Sequence, residues 1–314
     1  MAERIQDYRK YLLPTVLAGI KGLELRARMI VEGFVGGMHH SPRRGLSIEF
    51  ADHRAYAQGD DIRHIDWKVY AKTDKHYIKE YEQETNQSIM LVVDTSESMS
   101  FQGSASPLSK FDYATSLAAA TSYLALQQHD AVGLITFDDD IRTSIKPSSH
   151  RNQWKTIVRE LAGEVGGAKT ATGTVFGQLA DRLNHRMLIV VISDLFDDPD
   201  ATIRGLQKLR FRHHDLIVWN LWDDVERSFP LRGPTMFEGL ESTGSMLADP
   251  EALRASYVAQ VDRFQAKLSR ACGRMQIDFE RFSTLQPLDT ALTAYLATRS
   301  SRLRRRSARV MGSR

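Results

Sequence analysis

Residues 94–98 read D-T-S-E-S, which puts a carboxylate and two hydroxyls, Asp94, Ser96 and Ser98, at alternate positions directly after the apolar run Ile89–Val93. A second apolar run, Met187–Ile192, leads into V-I-S-D-L-F-D-D and ends close to another carboxylate, Asp194. Between the two lies G-G-A-K-T-A-T-G-T, which offers the hydroxyl of Thr170 or Thr172. Carboxylates mixed with neutral hydroxyl oxygens suit a small, hard divalent cation such as Mg²⁺, with water filling the remaining positions. Zinc or copper would call for imidazole or thiolate. The single cysteine, Cys272, rules out a Cys-rich zinc site and an internal disulfide framework, and fits a reducing compartment.

For these residues to meet, the runs that precede them must be strands of one sheet that end at the same rim. Ile89–Val93 is β-rich without alternation, as expected of a strand covered on both faces. A helix follows it, with Ala114, Leu117, Ala118, Thr121, Leu124 and Ala125 on one face. Next come a strand at Ala131–Phe137 with a hairpin partner at Ile141–Ile145, a helix near Asn152–Leu161, and a Gly-rich loop at Gly163–Gly173. A helix near Val175–Leu183, the strand Met187–Ile192, a helix to Leu209 and a strand at Leu216–Trp222 continue the alternation. Beyond the Gly/Pro-rich stretch Pro230–Gly244, a helix at Pro250–Ala271, a strand at Gln276–Phe282 and a helix at Leu288–Ala297 close the series. Such alternation implies an α/β fold with a doubly wound, mostly parallel sheet and helices on both faces. Ligands of such sheets bind at the carboxyl ends of the strands, where Asp94 and Asp194 fall. The carboxylates are expected to be hydrated at a surface rim, so that removing a metal costs the fold little.

The remaining features are weaker. The formal net charge is +3, but residues 299–314 hold seven arginines and no acid, so subtracting seven leaves the body at −4. That tail carries no aromatic residues for base stacking and reads as a solvated terminus, which argues against a nucleic-acid partner. No apolar run is long enough to span a bilayer, and the chain reads as cytoplasmic. Phosphate-cradling loops of the types G-x-x-x-x-G-K-[ST] and G-x-G-x-x-G are missing, as is a G-x-S-x-G nucleophile elbow. An aspartyl-phosphate enzyme would need a second acid two residues after Asp94, where Ser96 stands. The pairs His39/His40 and His213/His214 are adjacent in sequence and point apart, so each is a poor chelate. G-D-D-I-R-H-I-D-W-K, residues 59–68, reads as an ion-pair network with Trp67 docked on the sheet; a hydrolase or nuclease site with acids and Lys68 around a metal is the alternative.

D-T-S-E-S is similar to the D-x-S-x-S motif of von Willebrand factor A domains, and Thr170 and Asp194 fall where that family places its remaining ligands. The resemblance implies a metal-ion-dependent adhesion site. Ser96, Ser98 and Thr170 would be direct ligands of Mg²⁺, Mn²⁺ or Ca²⁺, Asp94 and Asp194 would act partly through water, and a partner's acidic side chain would complete the coordination. The segment R-R-G-L-S-I-E-F-A-D-H-R-A-Y-A-Q-G-D-D-I-R-H-I-D-W-K-V-Y-A-K-T-D-K-H-Y-I-K-E-Y-E-Q-E closely resembles the signature of the bacterial family known as domain of unknown function 58. That family couples the segment to a von Willebrand factor A-like fold, often with two N-terminal transmembrane helices that this sequence lacks. Its genes often neighbour those of MoxR-type AAA ATPases, which implies an accessory role beside such an enzyme. The expected organisation is a family-specific extension at residues 1–86, the A-like domain at 87–297 and a basic tail at 298–314. The expected function is metal-dependent protein binding without catalysis, with metal-dependent hydrolysis as the alternative.

Overall fold

A computed structural model describes residues 13–20, 22–39, 53–55, 67, 70–71, 77–79, 87–163, 170–238, 244–293 and 295. The basic tail and most of the 59–68 segment lie outside the described residues. The chain divides into two compact units, Met1–Gly37 together with Asn86–Arg314, and Met38–Thr85. Helices α1 (Pro14–Ala18) and α2 (Leu23–His39) thus begin in the unit that holds the sheet, rather than in an extension running from residue 1 to 86. Arg26 of α2 illustrates the attachment by donating to Ser116 Oγ at 3.1 Å.

The smaller unit contains an antiparallel pair, β1 (His53–Ala55) with β2 (Tyr77–Lys79). Trp67, expected to be docked and buried, is 60% exposed and meets Tyr70 edge-on at 6.0 Å. A tryptophan this open is not a core anchor, and the cost expected for deleting a large buried aromatic does not apply to it.

In the larger unit, β3 (Ser88–Asp94) leads through a short 3-10 turn at Glu97–Ser100 to α3 (Lys110–Gln127). Strands β4 (Ala131–Phe137) and β5 (Ile141–Ser148), helices α4 (Gln153–Leu161) and α5 (Thr172–Arg182), β6 (Leu188–Ser193), α6 (Pro199–Phe211) and β7 (Asp215–Trp222) follow. A short helix α7 (Asp224–Ser228), the hairpin β8 (Thr235–Glu238) and β9 (Ser245–Ala248), α8 (Pro250–Arg274) and β10 (Asp278–Ser283) complete the named elements, and residues 288–293 are helical. The six-stranded sheet runs β10-β7-β6-β3-β4-β5, every neighbouring pair parallel except β4 with β5. This is the expected doubly wound, mostly parallel α/β architecture.

Successive strand residues face opposite sides, and both sides are covered. Met90, Val92, Ile135, Phe137, Val191 and Val218 pack in one apolar cluster with Val175 and Phe176 of α5, Leu206 and Leu209 of α6, and Leu268 of α8. On the opposite face lies α3, with Tyr113, Ala114, Leu117 and Ala118 fully buried. Each large aliphatic side chain removed from water here contributes about 1.5–3 kcal/mol, so the strand ends are carried on a stiff platform. Helix α7, just before the Gly/Pro-rich stretch, and the hairpin β8–β9, in and just after it, were not foreseen; Met236 and Leu247, directly opposite each other in the hairpin, are both exposed. Among the described residues no helix is long and apolar enough to cross a membrane.

Candidate metal centre

The strand order reverses between β3 and β6, since the chain leaves β3 for β4 and β5 on one side and later adds β6, β7 and β10 on the other. A crevice forms at such a switch point, beyond the carboxyl ends of the two strands. Asp94 is the last residue of β3, and Asp194 follows the last residue of β6. Both are buried, as are Ser96, Ser98 and Thr170. The expectation of hydrated surface carboxylates is therefore wrong: these acids sit below the rim, at 0% and 2% exposure.

Their oxygens are held by a dense set of donors. Asp94 Oδ1 accepts from the Ser96 amide at 2.9 Å, and Oδ2 accepts from Ser193 Oγ at 2.5 Å. Asp194 Oδ1 accepts from the Phe196 amide at 3.0 Å, while Oδ2 accepts from Ser98 Oγ at 2.9 Å and from Lys110 Nζ at 2.7 Å. Ser96 Oγ and Ser98 Oγ lie 3.1 Å apart. Ser193 Oγ also accepts from the amide of Leu195, whose φ of 55° places a leucine in the left-handed region. Backbone strain of this kind is tolerated where surrounding bonds over-determine it, often at functional sites.

The two threonines left open by the sequence now separate. Thr172 opens α5, and its hydroxyl donates to Asp197 Oδ2 at 2.9 Å and lies 2.6 Å from Thr202 Oγ1, tying α5 to α6. Thr170 Oγ1 is buried and has no hydrogen-bond partner among the described residues. The neighbouring Ala171 amide donates to the carbonyl of Asp138, just past β4, which brings this loop to the strand ends beside β3. A buried hydroxyl without a partner is a costly arrangement, and its oxygen remains free to accept from or bind something else.

Electrostatics single out Asp94. Burial first, and the neighbouring Asp194 charge second, push its pKa up to about 7, against the pull of its bonds to Ser193 and Ser96. Lys110 was not foreseen. It stands at the first position of α3, is 1% exposed, and bridges Asp194 to Glu226 Oε1, each at 2.7 Å. Burial alone would lower its pKa, but Asp194 and Glu226 outweigh that and raise it, so the ammonium stays charged. Burial raises the Glu226 pKa, with Lys110 opposing. Glu226 in turn belongs to the capping box of α7, its Oε2 accepting from the Asp223 amide at 3.1 Å. Asp223 accepts from the Gly103 amide, Ser106 Oγ and Thr284 Oγ1. One sequence signal could have pointed to Lys110: a cation at a helix N-terminus opposes the helix dipole and calls for a compensating partner.

The family described as "Protein of unknown function DUF58" matches residues 52–267. The "Uncharacterized protein Rv1480" of Mycobacterium tuberculosis is 26% identical over 268 residues, 83% of each chain. Among solved structures, "conserved hypothetical protein BatB" from Bacteroides thetaiotaomicron shares 14% identity and a TM-score of 0.46, covering 68% of this chain and 99% of that one. The "SpRpn10 VWA domain" shares 13% identity and a TM-score of 0.39, covering 66% of this chain and 94% of that one. TM-scores this low add nothing to the fold assignment, which rests on the sheet order of the chain itself.

Proposed function

Given that the chain belongs to the family described as protein of unknown function DUF58, for which no activity follows from the name, we propose that it is a non-catalytic protein-interaction module. Its contact surface is completed by a divalent cation at the β3–β6 rim. The observation that carries this reading is the buried pair Asp94 and Asp194, together with the buried hydroxyl of Thr170, which has no partner among the described residues and sits on a loop tied to the end of the adjoining strand β4. Two buried carboxylates that repel each other, and a buried oxygen with no donor, are all relieved by one cation.

The donor set fits a hard ion. Ser98 donates its proton to Asp194, so Ser96 Oγ is the donor in the bond between the two serines, which leaves one lone pair of Ser98 and both of Ser96 to face a cation. Ser96, Ser98 and Thr170 would hold Mg²⁺ or Mn²⁺ directly. All four oxygens of Asp94 and Asp194 already accept bonds, and Asp194 Oδ2 accepts two, so these acids supply charge and would act partly through water. When bound, the ion supplies a Lewis-acidic position that an acidic side chain of a partner can occupy. Phe196, two residues after Asp194 and 58% exposed, gives the rim an apolar neighbour for such a contact.

The partner proposed is a MoxR-type AAA ATPase or its client, with this chain as accessory. Pull-downs with the parent chain and with Asp94→Ala, each with Mg²⁺ and with chelator, test the reading. Partner recovery only with the parent in Mg²⁺ is expected. Equal recovery in all four samples would remove the rim from the binding surface.

A further inference from the structure

Lys110 raises a question that the rim alone does not answer. A lysine at 1% exposure, placed at the unfavourable end of a helix dipole and wedged between two carboxylates, is held from every side. Its ammonium also lies 5.9 Å from the centre of the Phe101 ring. Glu226 cannot withdraw, because the α7 capping box fixes it to Asp223, and Asp223 is fixed by the loop that carries Gly103 and Ser106. The cation is thus a permanent part of the cluster.

Formal charges give this arrangement a meaning. With Asp94 in the ionised form that a cation would bind, Asp94, Asp194 and Glu226 contribute three negative charges and Lys110 one positive, which leaves two negative charges to be balanced. We infer that Lys110 is a built-in counter-ion that sets the affinity and charge selectivity of the metal rim: it matches the cluster to a divalent ion, and by occupying Asp194 Oδ2 it keeps that carboxylate from closing over the ion. Lys110 is a positioning residue and makes no contact with a partner. Weaker binding than three free carboxylates would give is the cost, and an ion with an open position is the result. The inference rests on the metal reading of the rim.

Two substitutions of opposite charge sense separate this role from a structural one. Lys110→Met removes the positive charge and should tighten Mn²⁺ binding at least tenfold, measured by calorimetry on the chelator-treated full chain. Glu226→Gln removes a negative charge from a residue that is not a ligand and should weaken Mn²⁺ binding by a similar factor. Lys110→Arg, which keeps the charge, should stay within about threefold of the parent. In Lys110→Met the cluster is one further charge short, so Tb³⁺ luminescence should show a gain for the trivalent ion larger than the gain for Mn²⁺. Loss of affinity in both Lys110→Met and Glu226→Gln would make the pair a structural prop and overturn the inference, as would unchanged affinity in both. Should Lys110→Met fail to fold, unchanged Mn²⁺ affinity in Glu226→Gln overturns it alone, and weakened affinity with the Lys110→Arg value near the parent supports it. A parent chain that takes up no Mn²⁺ sinks the metal reading itself, whereas a parent that binds Mn²⁺ without the opposite-signed pair sinks only the role of Lys110.

Discussion

Replacing Asp94 by Asn should change how the stability of the metal-free chain depends on pH. An aspartate has a reference pKa of 3.8, and in the folded chain burial and the charge of Asp194 push that of Asp94 up to about 7. The folded state therefore holds this proton over a range in which the unfolded chain has released it. Stability is greatest below the unfolded value and is lost as pH rises through the folded one. A difference of roughly three pKa units corresponds to about 4 kcal/mol, of which about 2 kcal/mol should disappear between pH 5 and pH 7. Asn keeps the shape and removes the charge, so Asp94→Asn should lack that part of the slope and be more stable than the parent above pH 7 in chelator. Mg²⁺ in excess should flatten the parent's slope by binding the ionised form and leave Asp94→Asn unmoved. Urea denaturation at a series of pH values, with chelator or Mg²⁺, measures both effects. Identical pH slopes for parent and Asp94→Asn in chelator would refute the reasoning, since they would mean that Asp94 ionises as freely in the folded chain as in the unfolded one.

Thr170→Ala should leave stability unchanged or slightly raised and lower metal affinity, because its hydroxyl has no partner among the described residues. Thr172→Ala should do the reverse, costing about 1–3 kcal/mol in denaturant titrations by leaving Asp197 and Thr202 without their bond. At Gly103 an added Cβ would fall 2.1 Å from Asp223 Oδ1 and 2.7 Å from Val225, so Gly103→Ala should cost about 1–3 kcal/mol in the same assay. Trp67→Ala, at an exposed position, should shift the denaturation midpoint by no more than about 0.5 kcal/mol.

What could be read in the sequence divides along physical lines. Strands β3, β4, β6 and β7 are buried on both faces, so they read as unbroken apolar runs, and the helices between them show their period. The carboxyl-end rule then places Asp94 and Asp194 at one rim from the sequence alone. Short elements fared worse: β8 and β9 are four residues each, and much of their apolar content faces outward, so no alternation marks them. The choice between Thr170 and Thr172 depends on where α5 begins, and two residues is within the uncertainty of any helix boundary read from pattern. Trp67 misled because a large aromatic flanked by charges resembles a docked anchor. The Lys110–Glu226 pair joins residues 116 positions apart, and no local spacing can report such a contact.

The most direct test of a cation at the β3–β6 rim is a calorimetric titration of the chelator-treated chain with Mn²⁺, run side by side with Asp94→Ala. One ion bound per chain in the parent, and none in a folded Asp94→Ala, is the expected result. A parent that takes up no ion, or an Asp94→Ala that binds as the parent does, would contradict it.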